Sequence, residues 1–188
     1  MMRKIYIVSI LLFIAATSYG QKNALTTYLS QSVIFDGDVF QLKYERGLTR
    51  SLSLQTGVRY HNSVGYNQWG SDSYIVEQTY QSYKLDVSFL IAPVKTEHFQ
   101  LKTGLGGDVG LSEYSFAGEG YGSHWRSGYT QATDLGKHYI LQTDYIFTNN
   151  LLLSGQILYN YVFNEDNLPI NAYRESPLCV GIGVGYRF

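Results

Sequence analysis

Few side chains in this 188-residue sequence stand where chemistry could use them. The four histidines, His61, His98, His124 and His138, show no i, i+2 or i+4 pairing. A metal centre needs three or more converging ligands, so none is expected. The single Cys179 excludes an internal disulfide framework and any cysteine-cluster zinc site. Gly104-Leu105-Gly106-Gly107 and Gly181-Ile182-Gly183 lack the following helix and lysine of a phosphate-binding loop, so no cofactor is expected either. A net charge of −1 leaves no basic patch for nucleic acid. What remains is a set of charges at alternating positions: the bases Lys43, Arg59, Lys84, Lys102 and Arg187, and the acids Glu45, Asp86, Asp108 and Asp144.

The elements that carry those charges are strands. Leu52, Leu54, Thr56, Val58 and Tyr60 alternate with Ser51, Ser53, Gln55, Gly57 and Arg59. Tyr83, Leu85, Val87, Phe89 and Ile91 alternate with Lys84, Asp86 and Ser88. The same pattern starts at Phe40, Phe99, Tyr139, Leu151 and Leu178. Successive side chains of a strand point to opposite faces, so each segment has one apolar and one polar face. With an extended first segment from Ala24 to Ile34, whose phase is ambiguous, this makes eight strands and an all-β protein. The connections at 47–50, 93–98 and 148–150 are short. Those at 62–78, 115–136 and 165–175 are long; Asp36-Gly37-Asp38, a tight turn, breaks the rule. Short turns at one end and long loops at the other form the layout of an antiparallel transmembrane barrel.

Residues 1–20 read as an address. Arg3 and Lys4 precede the apolar run Ile5–Ile14, and Ser18-Tyr19-Gly20 offers small residues at the cleavage positions. That run is too short to span a bilayer as a helix. The expected mature domain is therefore residues 21–188.

Which face of the barrel meets lipid is settled by composition. A soluble lipocalin-like barrel would turn its apolar face inward. Here the polar face is Gly, Ser and Gln with few charges, unlike a soluble surface. The other face is rich in Tyr, Phe and Leu, too bulky for an eight-strand interior. Aromatic residues also gather near the strand ends, as interfacial girdles do. The expectation is an all-β, eight-stranded, up-and-down transmembrane barrel whose lumen holds the nine charges named above. They would form an electrostatic plug or, alternatively, line a narrow pore.

The last strand, Leu178 to Phe188, ends on an aromatic residue. It resembles the C-terminal signal read by the outer-membrane assembly machinery, with Val184, Tyr186 and Phe188 on one face. The segment Tyr44-Glu45-Arg46-Gly47-Leu48-Thr49 resembles a strand–turn segment of small porin-like barrels. The chain is thus similar to the OmpA/OmpX-type outer-membrane barrel family over residues 21–188. The resemblance implies an outer-membrane location in a diderm bacterium, both termini in the periplasm, and outer-membrane lipid and the assembly machinery as partners. The expected protein is a monomer and not an enzyme. Its role would be structural or in binding an extracellular ligand through surface loops. His61-Asn62-Ser63 resembles the active site of lipid A deacylase barrels, where a histidine activates a serine nucleophile, with Asp72 or Glu77 available to orient it. The family pattern has Asn after the serine, and this chain has Val64. In the long connections, Tyr66, Trp69 and Tyr74, then Phe116, Tyr121, Trp125, Arg126 and Tyr129, are of the types that form binding hot spots.

Overall fold

The computed structural model describes residues 23–33, 37–69, 74–120, 124–163 and 178–188. The expected signal peptide and the whole connection at 165–175 lie outside them. Eight strands follow in chain order: β1 (Asn23–Ser32), β2 (Gly37–Gly47), β3 (Leu52–Trp69), β4 (Tyr74–Lys95), β5 (Phe99–Gly120), β6 (His124–Ile146), β7 (Leu151–Val162) and β8 (Leu178–Arg187). Each pairs antiparallel with its neighbour, and β8 pairs with β1, so the sheet closes on itself. Closure reaches the last residue: Asn23 N donates to Phe188 O, and Phe188 N donates back to Asn23 O, both at 2.8 Å. No strand edge is left between β1 and β8.

The turns at the chain-termini end are short for local reasons. Thr49 Oγ1 accepts from the backbone amides of Ser51 and Leu52, which pins the β2–β3 hairpin. Asn150 takes φ 66°, the left-handed conformation that Asn tolerates better than most residues, and closes the β6–β7 turn. The register between β4 and β5 shifts between Ile91 and Val94. Pro93 sits in that irregularity, where its missing N–H costs no ladder bond.

At the other end the long connections differ from expectation. Residues 62–69 and 74–78 continue β3 and β4, paired out to Trp69 and Tyr74. Residues 115–120 and 124–136 likewise continue β5 and β6, paired from Ser115–Tyr129 to Gly120–His124. The stretches read as loops because their residues are polar at both parities. With polar residues at both parities the period-two contrast disappears. The two ends of the Asp36–Asp38 turn also differ: Gly37 and Asp38 already belong to β2, and Asp36 lies outside the described residues.

Strand phases agree with the alternation and resolve β1. Tyr28 of that strand is fully buried while Leu29 is 66% exposed. Outward residues include Leu85, Leu105, Ile182 and Val184, all more than 60% exposed, whereas Lys43, Arg59, Lys84 and Asp86 are buried. This is the inverse of a water-soluble protein. An apolar surface of this extent needs lipid around it, which excludes the lipocalin-like alternative. Paired rings mark both ends of the band. Tyr60 packs tilted against Tyr83 and Tyr161 edge-to-face with Phe163 on the hairpin side, and Tyr145 edge-to-face with Phe147 on the short-turn side.

Lysine placed at Val87, on the lipid face near mid-strand, is expected to cost about 2–4 kcal/mol in a refolding equilibrium in lipid. Lysine at Ser53, which borders the open mouth described below, should cost much less. Equal losses at the two sites would contradict the phase.

Candidate functional site: the lumen network

The interior is built strand by strand on a repeated device. Lys43 on β2 and Asp86 on β4 are not on adjacent strands; both pair in register with Gly57 on β3. The glycine leaves a gap through which the lysine reaches the carboxylate, and the two form a buried ion pair. A Cβ on Gly57 would fall 2.6 Å from Lys43 Cδ. Lys84 on β4 and Asp134 on β6 meet in the same way over Gly110, with Nζ and Oδ2 at 3.6 Å. Ser88 and His138 meet over Gly106, at 2.7 Å between Oγ and Nε2. Tyr28 on β1 and Ser154 on β7 meet over Gly183, with a hydrogen bond of 2.9 Å. An inward glycine thus lets side chains two strands apart join across the strand between them.

These contacts merge into a network along the lumen. Near the short-turn end, Lys102 Nζ lies 2.7 Å from Glu45 and 2.6 Å from Asp144. Asp144 accepts from Ser154 and from the amide of Gln142, which in turn accepts from Gln55. Farther along, Asp108 receives Arg59 at 3.3 Å, Lys84 at 3.5 Å and His138 Nδ1 at 3.0 Å. Arg59 also donates to Asn160 at 2.7 Å. Asp134 accepts from Tyr80 and Ser112.

The sequence-derived set is therefore brought together. Lys43, Arg59, Lys84, Asp86, Lys102, Asp108 and Asp144 are buried inside. Glu45 and Arg187 border an open vestibule of about 690 Å³ at the chain-termini end. Two charged or titratable partners were not in that set. Asp134 matches the fifth base with a fifth acid; it lay in a stretch read as loop. His138, read only as a polar-face residue, joins Ser88 to Asp108. A cluster of Val39, Leu90, Ile140, Leu158 and Cys179 also packs inside, so the lumen is not polar throughout.

Ser88, His138 and Asp108 have the connectivity of a hydrolytic triad. Asp108 holds the Nδ1–H of His138, which leaves Nε2 to accept from Ser88 Oγ–H. Every member is nearly inaccessible: Ser88 is 0% and His138 1% exposed. No substrate carbonyl has room at Ser88, and Asp108 is already shared with Arg59 and Lys84. His61 and Ser63, the pair that resembles the deacylase site, are buried too, and His61 packs edge-on against Tyr80. Asp72 lies outside the described residues. Among the described residues, no group of three or more potential ligands could hold a metal ion.

No protein-family model and no curated protein matches the chain. Solved structures do. A major outer membrane protein of Thermus thermophilus superposes with a TM-score of 0.64 at 14% identity, covering 90% of this chain and 100% of that one. The fold is that of an outer-membrane β-barrel. More distant likenesses are the Yersinia pestis outer membrane protein Ail in a bilayer nanodisc (TM-score 0.49, 16% identity, 89% of this chain and 99% of that one). Neisserial surface protein A follows (0.44, 15%, 89% and 94%).

The glycine gaps generate a pair of contrasting substitutions. Gly110→Ala would push a methyl to within 2.6 Å of Lys84 Cγ and is expected to cost about 1–3 kcal/mol by overpacking. Gly107→Ala, one strand face away, meets only Gly136 O at 3.6 Å and should be neutral or slightly stabilising. Urea unfolding of the two variants in the same lipid gives the comparison.

Proposed function

We propose that the protein is an integral outer-membrane protein whose barrel is a sealed anchor and whose hairpin extension presents a binding surface outside the cell. The observation that supports this reading is the inequality of the strands. β3 to β6 run 18 to 23 residues, whereas β1, β2, β7 and β8 run 10 to 12. About 9–11 tilted residues cross a bilayer. The short strands are used up by crossing; the four long ones carry a continuous sheet well past it. A structure that served only to cross would not need that sheet, and neither would one that served only to fill space in the membrane.

In this reading the termini and the short turns face the periplasm. The lumen network acts as a plug, since a charged cluster in so narrow a space is held by mutual pairing. Catalysis is no part of the reading, because both serine–histidine pairs are buried. Val184, Tyr186 and Phe188, exposed along one outward face of β8, serve recognition during assembly. An unpaired last strand is an open edge until the barrel closes, which makes it the natural handle.

Three chains test this together in a diderm host: the full protein, one lacking Phe188, and one with residues 64–79 and 113–131 replaced by short turns. The full and trimmed proteins should both fractionate with the outer membrane and migrate differently on gels when unheated. Only the full protein should confer adherence of the cells to a panel of matrix proteins and polysaccharides. The chain lacking Phe188 should reach the membrane in low yield yet refold normally when purified. Adherence that is the same with and without the extension, or recovery of the full protein from the soluble periplasm, would overturn the reading.

A further inference from the structure

Lys137 is out of place on the outer surface. It points outward from β6, toward lipid in the reading above, directly between Gly107 of β5 and Tyr161 of β7. Its ammonium lies over two rings, 4.9 Å from the centroid of Tyr161 and 5.6 Å from that of Phe163. The outward neighbours on its own strand are Leu135 and Tyr139, each 51% exposed. No carboxylate stands beside it in register, and no ion pair involves it among the described residues. From Phe147, in the opposite girdle, β6 climbs ten residues to Lys137. That is about 33 Å of strand, or about 25 Å along the membrane normal at the usual tilt. The ammonium therefore sits at the edge of the apolar band on the hairpin side, at headgroup level.

Gly107 supplies a second observation. Unlike the inward glycines, it has open space where a side chain would be, with only Gly136 O within reach at 3.6 Å. Glycine weakens a strand, and no close approach inside the protein requires it here. The result is a notch in the apolar wall, flanked by Val87 and Lys137 in register.

We propose that Lys137, held by Tyr161 and Phe163, binds the phosphate of an anionic lipid headgroup while an acyl chain of the same lipid lies in the notch at Gly107. The proposal rests on the membrane reading. The ring faces keep the cation at the boundary rather than letting it extend into water, and cation–π contact leaves its charge unneutralised. An anion is the missing partner, and at headgroup level anionic lipid headgroups attract basic side chains.

Native mass spectrometry of protein refolded into mixed bilayers and released into detergent reads this out. The probes are phosphatidylglycerol and an uncharged diacylglycerol. The protein should retain phosphatidylglycerol in preference to diacylglycerol, and Lys137→Met should lower that preference about fivefold. Lys137→Arg should restore it. Gly107→Leu should weaken retention of both lipids, because it fills the notch and leaves the cation. Lys95→Met, at a short turn, is the control and should change nothing. Equal retention by the protein and the Lys137→Met variant would overturn the proposal. So would competition by inorganic phosphate as effective as that of the lipid, which would mark a free-anion site. The heat-dependent gel shift of each sample separates these outcomes from failure of the membrane reading. If no sample shows the shift, that reading falls and the proposal with it.

Discussion

Lys43, Arg59, Lys84 and Lys102 are buried in a ring of only eight strands, and each is tolerable there because a carboxylate reaches it. A charge taken out of water and left alone costs several kcal/mol. Lys84 with Asp108 and Lys102 with Asp144 join adjacent strands, their side chains lying along the wall. Pairing over an intervening glycine instead spans the lumen chordwise and uses the volume that the glycine vacates. Gly57, Gly106, Gly110 and Gly183 each serve one such crossing. Side-chain volume and charge balance are thus met by the same residues.

The outside follows from the inside. Once the alternate positions of a closed ring are occupied by the lumen network, the remaining positions face outward and most are apolar. Leu, Val, Ile and the aromatic residues fill them, and rings collect where the apolar band ends. The Ser88–His138–Asp108 arrangement belongs to this economy of space. Its hydrogen bonds satisfy three buried polar groups beside Arg59 and Lys84, and its geometry gives no entry to a substrate. A triad is recognised by roles as well as by distances; here Asp108 is shared with Arg59 and Lys84, and Ser88 is buried.

Much of this was legible in the sequence. Alternation gave the strand count and the facing of seven strands, and all nine charges assigned to the interior line the lumen or its mouth. The hairpin extensions were not legible, because polar residues fall at both parities there and the period-two signal fades. Asp134, itself buried, was missed because it stands within one of those stretches. Tyr28 was missed because β1 alternates Thr, Ser and Leu too weakly to fix a phase. Leu90, Ile140 and Leu158 sit at positions of polar parity and read as noise until the register placed them against each other. That each lumen glycine bridges a particular pair depends on register across three strands, which no single segment records.

The most direct test is a double-mutant cycle on Lys43 and Asp86, measured as unfolding free energy of the barrel in lipid. If the two are joined across Gly57, Lys43→Met alone and Asp86→Leu alone should each cost about 3–5 kcal/mol, because each strands a buried charge. The double variant should cost far less than their sum, and a coupling of that size is seen only between side chains in contact. Additive losses, or single variants as stable as the parent protein, would contradict the account of the lumen.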